Sequence, residues 1–173
     1  MTPAGVTIRH PDRLFIGGEW VAPLSGAVIE IENPACEEIV ARVAHAGPAD
    51  MDRAVAAARH AFDHGPWPTT PPKERMAKLI EVCDLLEPRV PELAKAWTAQ
   101  IGGLAKAALP MHSGAVAGLR GIAALGESFQ WEEQRKGVLV DTVVIAREPV
   151  GVVVAIAPWN GPFAILANKV FYA

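Results

Sequence analysis

Residues 150–157 run Val-Gly-Val-Val-Val-Ala-Ile-Ala and are closed by Pro158. An unbroken, mostly β-branched apolar run of this length reads as a strand buried on both faces, the habit of parallel sheets. Pro158 has no N–H to give a sheet ladder, so the strand ends there. The loop that follows, Trp159-Asn160-Gly161-Pro162, falls at the strand's carboxyl end, where open α/β sheets place their ligands. Asn160 reads either as an ordinary turn residue or as an amide facing a ligand, and spacing alone favours the turn.

The totals narrow the class. At 173 residues the chain has room for one well-filled core or for one domain and part of another. Sixteen basic and nineteen acidic residues leave a net charge of −3, which points to no nucleic-acid partner. A hydrophobic fraction of 51% excludes a disordered chain. No apolar stretch has the length of a membrane span, and residues 1–13 lack the apolar core of a signal peptide. The expectation is a cytoplasmic protein with neither nucleic-acid nor membrane partner.

The chain begins as antiparallel β. Gly17-Gly18 separates Leu14-Phe15-Ile16 from Glu19-Trp20-Val21, a hairpin pattern. Val28–Glu32 alternates apolar and acidic residues, Asn33-Pro34 turns, and Ile39–Val43 returns as its partner. The period then changes. Gly47-Pro48-Ala49-Asp50 opens a helix with Met51, Ala54, Val55, Ala58 and Phe62 on one face, stopped at His64-Gly65-Pro66. A second helix follows Pro71-Pro72, with Met76, Leu79, Ile80, Cys83 and Leu86 inward. A third runs from about Pro91, turns Leu93, Ala94, Trp97 and Ile101 to one side, and stops at Gly102-Gly103. A fourth is expected from near Pro110 to about Arg135, with Gly114, Gly118, Gly121 and Gly126 allowing close backbone approach. Val138–Ala146 reads as one long strand or a hairpin, apolar enough to be a subunit-contact edge if exposed.

Most familiar chemistry is missing. Neither a dinucleotide-binding nor a phosphate-cradling glycine motif is present. His60 and His64 have the spacing of a helical metal pair but lack a completing ligand, so they read as a solvated surface pair. Cys36 and Cys83 match no metal spacing. Cys83 reads as a small core residue, and Cys36, beside Glu37 and Glu38, is a poor nucleophile. Glu132 and Glu133, adjacent on the expected helix, would point in different directions and form no carboxylate pair.

The stretch Glu148-Pro149-Val150-Gly151-Val152-Val153-Val154-Ala155-Ile156-Ala157-Pro158-Trp159-Asn160-Gly161-Pro162 resembles the signature of the NAD(P)-dependent aldehyde dehydrogenase superfamily. Phe15–Trp20, Asn33-Pro34-Ala35, Ile39–Val43, Ala54–Phe62, Trp67 and Glu74-Arg75 follow in the family's order. The resemblance runs from about Leu14 to the end and covers about the first third of a usual member. Gly102-Gly103 stands where many members have Gly-Lys.

This resemblance implies an α/β fold: the amino-terminal part of a Rossmann-type cofactor domain, with β-hairpins, helices, the first central parallel strand and an oligomerisation hairpin, its sheet incomplete. The implied division is 1–136 for hairpins and helices, 137–148 for the oligomerisation element, and 149–173 for the first central strand and the start of its helix. The implied reaction oxidises an aldehyde to a carboxylic acid with NAD or NADP through a cysteine thiohemiacetal. Asn160 matches the family's oxyanion-holding asparagine, and an amide N–H suits that task because it donates without a competing proton equilibrium. Ile156, Ala157, Pro158 and Trp159 would line the cofactor cleft, and Gly161, Ile165 and Asn168 the aldehyde tunnel. Several members carry an aromatic at the positions of Gly161 and Asn168, so a wider or more polar entrance is expected here. The family's cysteine, general-base glutamate, ribose-binding lysine and glycine motif fall beyond Ala173. The isolated chain is therefore expected to be inactive, partnered by a homo-oligomer or by the carboxyl-terminal portion. The alternative is a non-catalytic truncated product or an interaction subunit docking through 138–146.

Overall fold

Gly17 and Gly18 hold φ of +63° and +86°, the left-handed values a two-residue hairpin requires. They join β1 (Leu14–Ile16) to β2 (Glu19–Val21) in the antiparallel register expected. The computed structural model describes residues 7–173; residues 1–6, part of the segment read as lacking a signal core, lie outside the described residues.

β3 (Val28–Asn33) pairs antiparallel with β4 (Glu38–Ala44), with a register shift between Ile31 and Glu32. Its turn is built by Asn33, whose side-chain oxygen accepts the Ala35 N–H at 2.9 Å while its carbonyl accepts that of Glu37 at 2.8 Å.

Helices follow: α1 (Pro48–His64), α2 (Pro72–Leu86), α3 (Val90–Ile101), α4 (Ala105–Ser128) and, after a hairpin, α5 (Pro162–Tyr172). The face expected of α1 is not the one it packs. Met51, Val55 and Ala58 are exposed, and Ala54 and Phe62 only half-buried. A carboxylate sets the helix's rotation instead. Asp50, 1% exposed, accepts the Leu24 N–H at 3.2 Å, the Gly47 N–H at 3.1 Å and the Arg53 guanidinium at 3.2 Å. A buried charge must be paired and hydrogen-bonded, so these donors outrank a weak apolar stripe.

The main core lies among α2, α3, α4 and α5. Met76, Leu79 and Cys83 from α2 meet Val116, Leu119 and Ala123 from α4, with Val90 from α3 and Phe171 from α5. The α2 face matches expectation: Lys73, Glu74, Lys78 and Glu81 stay exposed. Full burial of Leu119 is worth about 1.5–3 kcal/mol.

The fourth helix differs from expectation at both ends. It starts at Ala105, with Leu104 as its cap accepting the N–H groups of Ala107 and Ala108, and carries Pro110 inside. It ends at Ser128 rather than near Arg135. A Cβ on Gly114, Gly118 or Gly121 would meet nothing within 4 Å, so these glycines serve no close approach. Gly126 does, for a Cβ there would overlap the Met76 side chain. Beyond the helix, β5 (Glu132–Arg135) pairs with β6 (Val143–Ala146). Of the apolar Val138–Ala146 run only the last four residues form a strand. Its partner is a charged tetrapeptide whose own composition favours helix, and backbone pairing overrides that preference. Arg147 anchors the hairpin by donating to the Gln130 carbonyl and to Glu133.

The run 150–157 forms no strand. Val150, Val152, Val153, Val154 and Ile156 are exposed, where burial on both faces was expected. A parallel strand takes its hydrogen bonds from neighbours, and the described residues hold only three separate two-stranded antiparallel sheets. The fold is mixed α/β with short, incomplete sheets.

Candidate functional site

Pro158 and Gly161 bracket a turn that delivers the chain into α5. Gly161 is the helix's N-cap, its carbonyl accepts the Ile165 N–H at 3.2 Å, and Pro162 takes the first helical position. Asn160 therefore stands immediately before a helix start. Its backbone carbonyl accepts the indole N–H of Trp97 at 2.9 Å, across 63 residues of sequence. The side-chain amide is exposed and has no hydrogen-bond partner among the described residues, so it is free to donate outward.

The ring that holds this turn is itself held. Trp97 meets His112 edge-on with centroids 6.1 Å apart, and His112 stacks on Phe163 at 5.6 Å and 22°. His112 is buried and its Nδ1 donates to the Ala108 carbonyl at 2.7 Å. Sequence reading placed Trp97 only on the apolar face of α3 and did not single out His112. The available signal was the pair Gly102-Gly103 just after Trp97. Gly102 is the left-handed stop at φ +71°, and a Cβ on Gly103 would overlap the indole.

Gly161, Ile165 and Asn168 are spaced four and three residues apart and so share one side of α5. Ile165 and Asn168 are exposed, and the Asn168 amide donates back to the Ala164 carbonyl at 2.7 Å. A tunnel wall is a use this face permits. Ile156 and Trp159 are 75% and 76% exposed, with Ala157 half-buried between them. Such a segment fits one wall of a dinucleotide cleft, offering apolar surface to a flat ring.

The thiols stand apart from this arrangement. Cys83 is fully buried in the helical core, and burial pushes its thiol pKa up. Cys36 is exposed in the β3–β4 turn. His60 and His64 are exposed, with rings stacked 4.5 Å apart and His64 Nδ1 on the His60 carbonyl. No group of three metal-ligating side chains occurs among the described residues.

The α/β scaffold presents an exposed amide at a helix start beside exposed apolar residues, an arrangement that by itself fits many classes of protein. Comparison with known proteins narrows the choice. The model of the aldehyde dehydrogenase family matches residues 20–173. The chain is 39% identical over 166 residues to a geranial dehydrogenase of Castellaniella defragrans, covering 95% of this chain and 34% of that protein. It is 33% identical to an NADP/NAD-dependent aldehyde dehydrogenase of Escherichia coli, covering 95% and 33%. Among solved structures, a Mycobacterium tuberculosis aldehyde dehydrogenase complexed with NAD+ superposes with a TM-score of 0.87 at 41% identity, over 92% of this chain and 33% of that one. A Staphylococcus aureus betaine aldehyde dehydrogenase in complex with NAD+ gives 0.88 at 27%, covering 94% and 32%. The chain belongs to the aldehyde dehydrogenase family, and it spans about a third of the length of the relatives it matches. No described helix is long and apolar enough to cross a membrane.

Proposed function

We propose that these residues supply the oxyanion donor and one wall of the cofactor cleft to an enzyme that oxidises aldehydes to carboxylic acids. The observation that carries this is the Asn160 turn: an exposed amide, without a hydrogen-bond partner among the described residues, on a helix-start turn whose backbone is clamped by Trp97. A donor fixed in place stabilises developing negative charge without reorganising when the charge appears. Bound NAD or NADP supplies the hydride acceptor, and the relatives with NAD+ in complex support that cofactor class. Ile156, Ala157, Pro158 and Trp159 bind and orient it on the apolar side. Gly161, Ile165 and Asn168 line the aldehyde's approach, and the small Gly161 with the polar Asn168 gives a wide, partly polar entrance.

The division into 1–136, 137–148 and 149–173 belongs to the same reading. Residues 149–157 become the first central strand when parallel neighbours cover them. The almost complete exposure of Val138 and Leu139 supports the reading of 137–148 as the surface met by a second copy. The free thiols Cys36 and Cys83 suit the cytoplasm. The 173 residues alone do not oxidise aldehydes, since neither thiol is placed to attack: one is buried and the other lies in the β3–β4 turn.

The test is Asn160→Ala in a full-length enzyme that carries this segment, with acylation rate-limiting. Turnover falls by about 10²–10³, the usual cost of one oxyanion donor, while the isolated chain yields no NAD(P)H from aldehydes. Unchanged turnover in the variant, or NAD(P)H formed by the pure 173-residue protein, refutes the reading.

A further inference from the structure

We infer that Trp97 is a positioning residue for Asn160, acting through its indole N–H on the Asn160 carbonyl, with Gly103 as the clearance that lets the ring reach it. The inference rests on the oxyanion reading of Asn160 and adds the group that aims it.

The geometry forms a closed circuit. Trp97 on α3 donates to Asn160 at 2.9 Å. Three residues on, Phe163 in the first turn of α5 stacks on His112 of α4. His112 in turn meets the edge of Trp97, and its own rotation is fixed by the bond to Ala108. Hydrogen bond, helix start, stack and edge contact thus return to the same indole. The carbonyl of Asn160 belongs to the peptide plane joining it to Gly161. Fixing that plane restrains the backbone torsion next to the Asn160 side chain, so the bond controls where the amide points. Trp159 and Asn160 lie outside every helix and strand, Gly161 is tied only to the start of α5, and the bond from Trp97 is the long-range tie on this turn among the described residues.

Gly103 gives an independent argument. A Cβ there would overlap the six-membered part of the Trp97 indole. No positive φ demands glycine at 103, so conformational need does not explain the residue; room for the ring does.

Trp97→Phe keeps an aromatic ring on the side of His112 and removes the N–H together with the second fused ring. Gly103→Ala keeps the N–H and displaces the ring, giving a second route to the same loss. In a full-length enzyme carrying these residues, each lowers kcat by about tenfold to a hundredfold, the scale of a small misplacement of a catalytic group, with the aldehyde KM unchanged. In an Asn160→Ala background neither substitution lowers kcat further, because nothing remains to be aimed. In the ¹⁵N-labelled 173-residue chain, the indole signal lost in Trp97→Phe is protected from hydrogen exchange in the parent. The variant speeds exchange at Ile165, whose N–H is bonded to the Gly161 carbonyl, while the α2 and α4 amides stay protected.

If Asn160→Ala lowers turnover but Trp97→Phe and Gly103→Ala do not, the positioning role falls and the oxyanion reading stands. Additive losses in the double variants, or a KM that rises in step with the loss of kcat, reduce Trp97 to packing and overturn the inference. An Asn160→Ala enzyme of normal turnover removes the oxyanion reading and this inference with it.

Discussion

Leu119 and Val153 are both aliphatic residues in strongly apolar surroundings, yet Leu119 is 1% exposed and Val153 is 52% exposed. Around Leu119 the apolar residues recur at helical spacing. Each helix satisfies its own backbone N–H and C=O groups before it packs, so the stripes of α2 and α4 need only find each other. Around Val153 the apolar residues are continuous, and a central strand leaves all its backbone N–H and C=O groups to its neighbours. The two regions differ less in hydrophobicity than in where their backbone hydrogen bonds come from. A helical face can be buried by whatever lies beside it, whereas a central strand waits for its sheet.

The comparison breaks most readily at its two reference residues. Leu119→Ala lowers the unfolding free energy by about 2–5 kcal/mol in urea titrations of the chain. Val153→Ala changes it by no more than about 0.5 kcal/mol. Equal losses at both positions would mean that residues 150–157 are packed after all.

A smaller effect sharpens the helical side. Gly126→Ala forces a Cβ into Met76 where α2 and α4 touch and costs about 1–3 kcal/mol as overpacking. Adding it to Met76→Ala, which clears the space, costs much less than adding it to the parent. The same substitution at Gly114, where a Cβ meets nothing, leaves stability unchanged or raises it, because alanine favours helix. Thermal melts of the four variants separate close approach from helix propensity.

The smallest effect belongs to the β5–β6 hairpin. Hydrogen bonds from Arg135 and then from Arg147 hold the Glu133 carboxyl below its ordinary value near 4.5. A lowered folded value means that the stabilisation is complete above the ordinary value and fades as pH falls below it. Amide exchange of Val143 and Ile145, whose N–H groups face β5 in this register, corrected for the intrinsic pH dependence, therefore speeds up modestly from pH 6 to pH 3. Glu133→Gln removes that pH dependence and leaves α2 and α4 unaffected.

Much of this was legible in the chain, for a physical reason. Gly17-Gly18, Asn33-Pro34 and Gly102 mark turns because few residues tolerate their backbone geometry, and the α2 face followed from spacing alone. The rotation of α1 was not legible, because it is set by Asp50 reaching Leu24 across 26 residues. The end of α4 was misread because Glu132–Arg135 favours helix locally and becomes strand only through β6. Around the candidate site, the turn at Asn160 followed from Pro158 and Gly161. Its clamp by Trp97 spans 63 residues, a separation over which no local pattern carries information.

The Asp50 carboxylate also bears on how this architecture tolerates change in length. By joining Leu24 to the Gly47–Arg53 turn it clasps the intervening β3–β4 hairpin at its base. Extra residues at Ala35–Glu37, the hairpin's far tip, would enlarge a loop whose two ends stay pinned, and each doubling of such a loop costs only about 0.6 kcal/mol. A single residue inserted between Leu24 and Val28 would instead shift the strand against its clasp. The hairpin can vary freely in reach, but only from its tip.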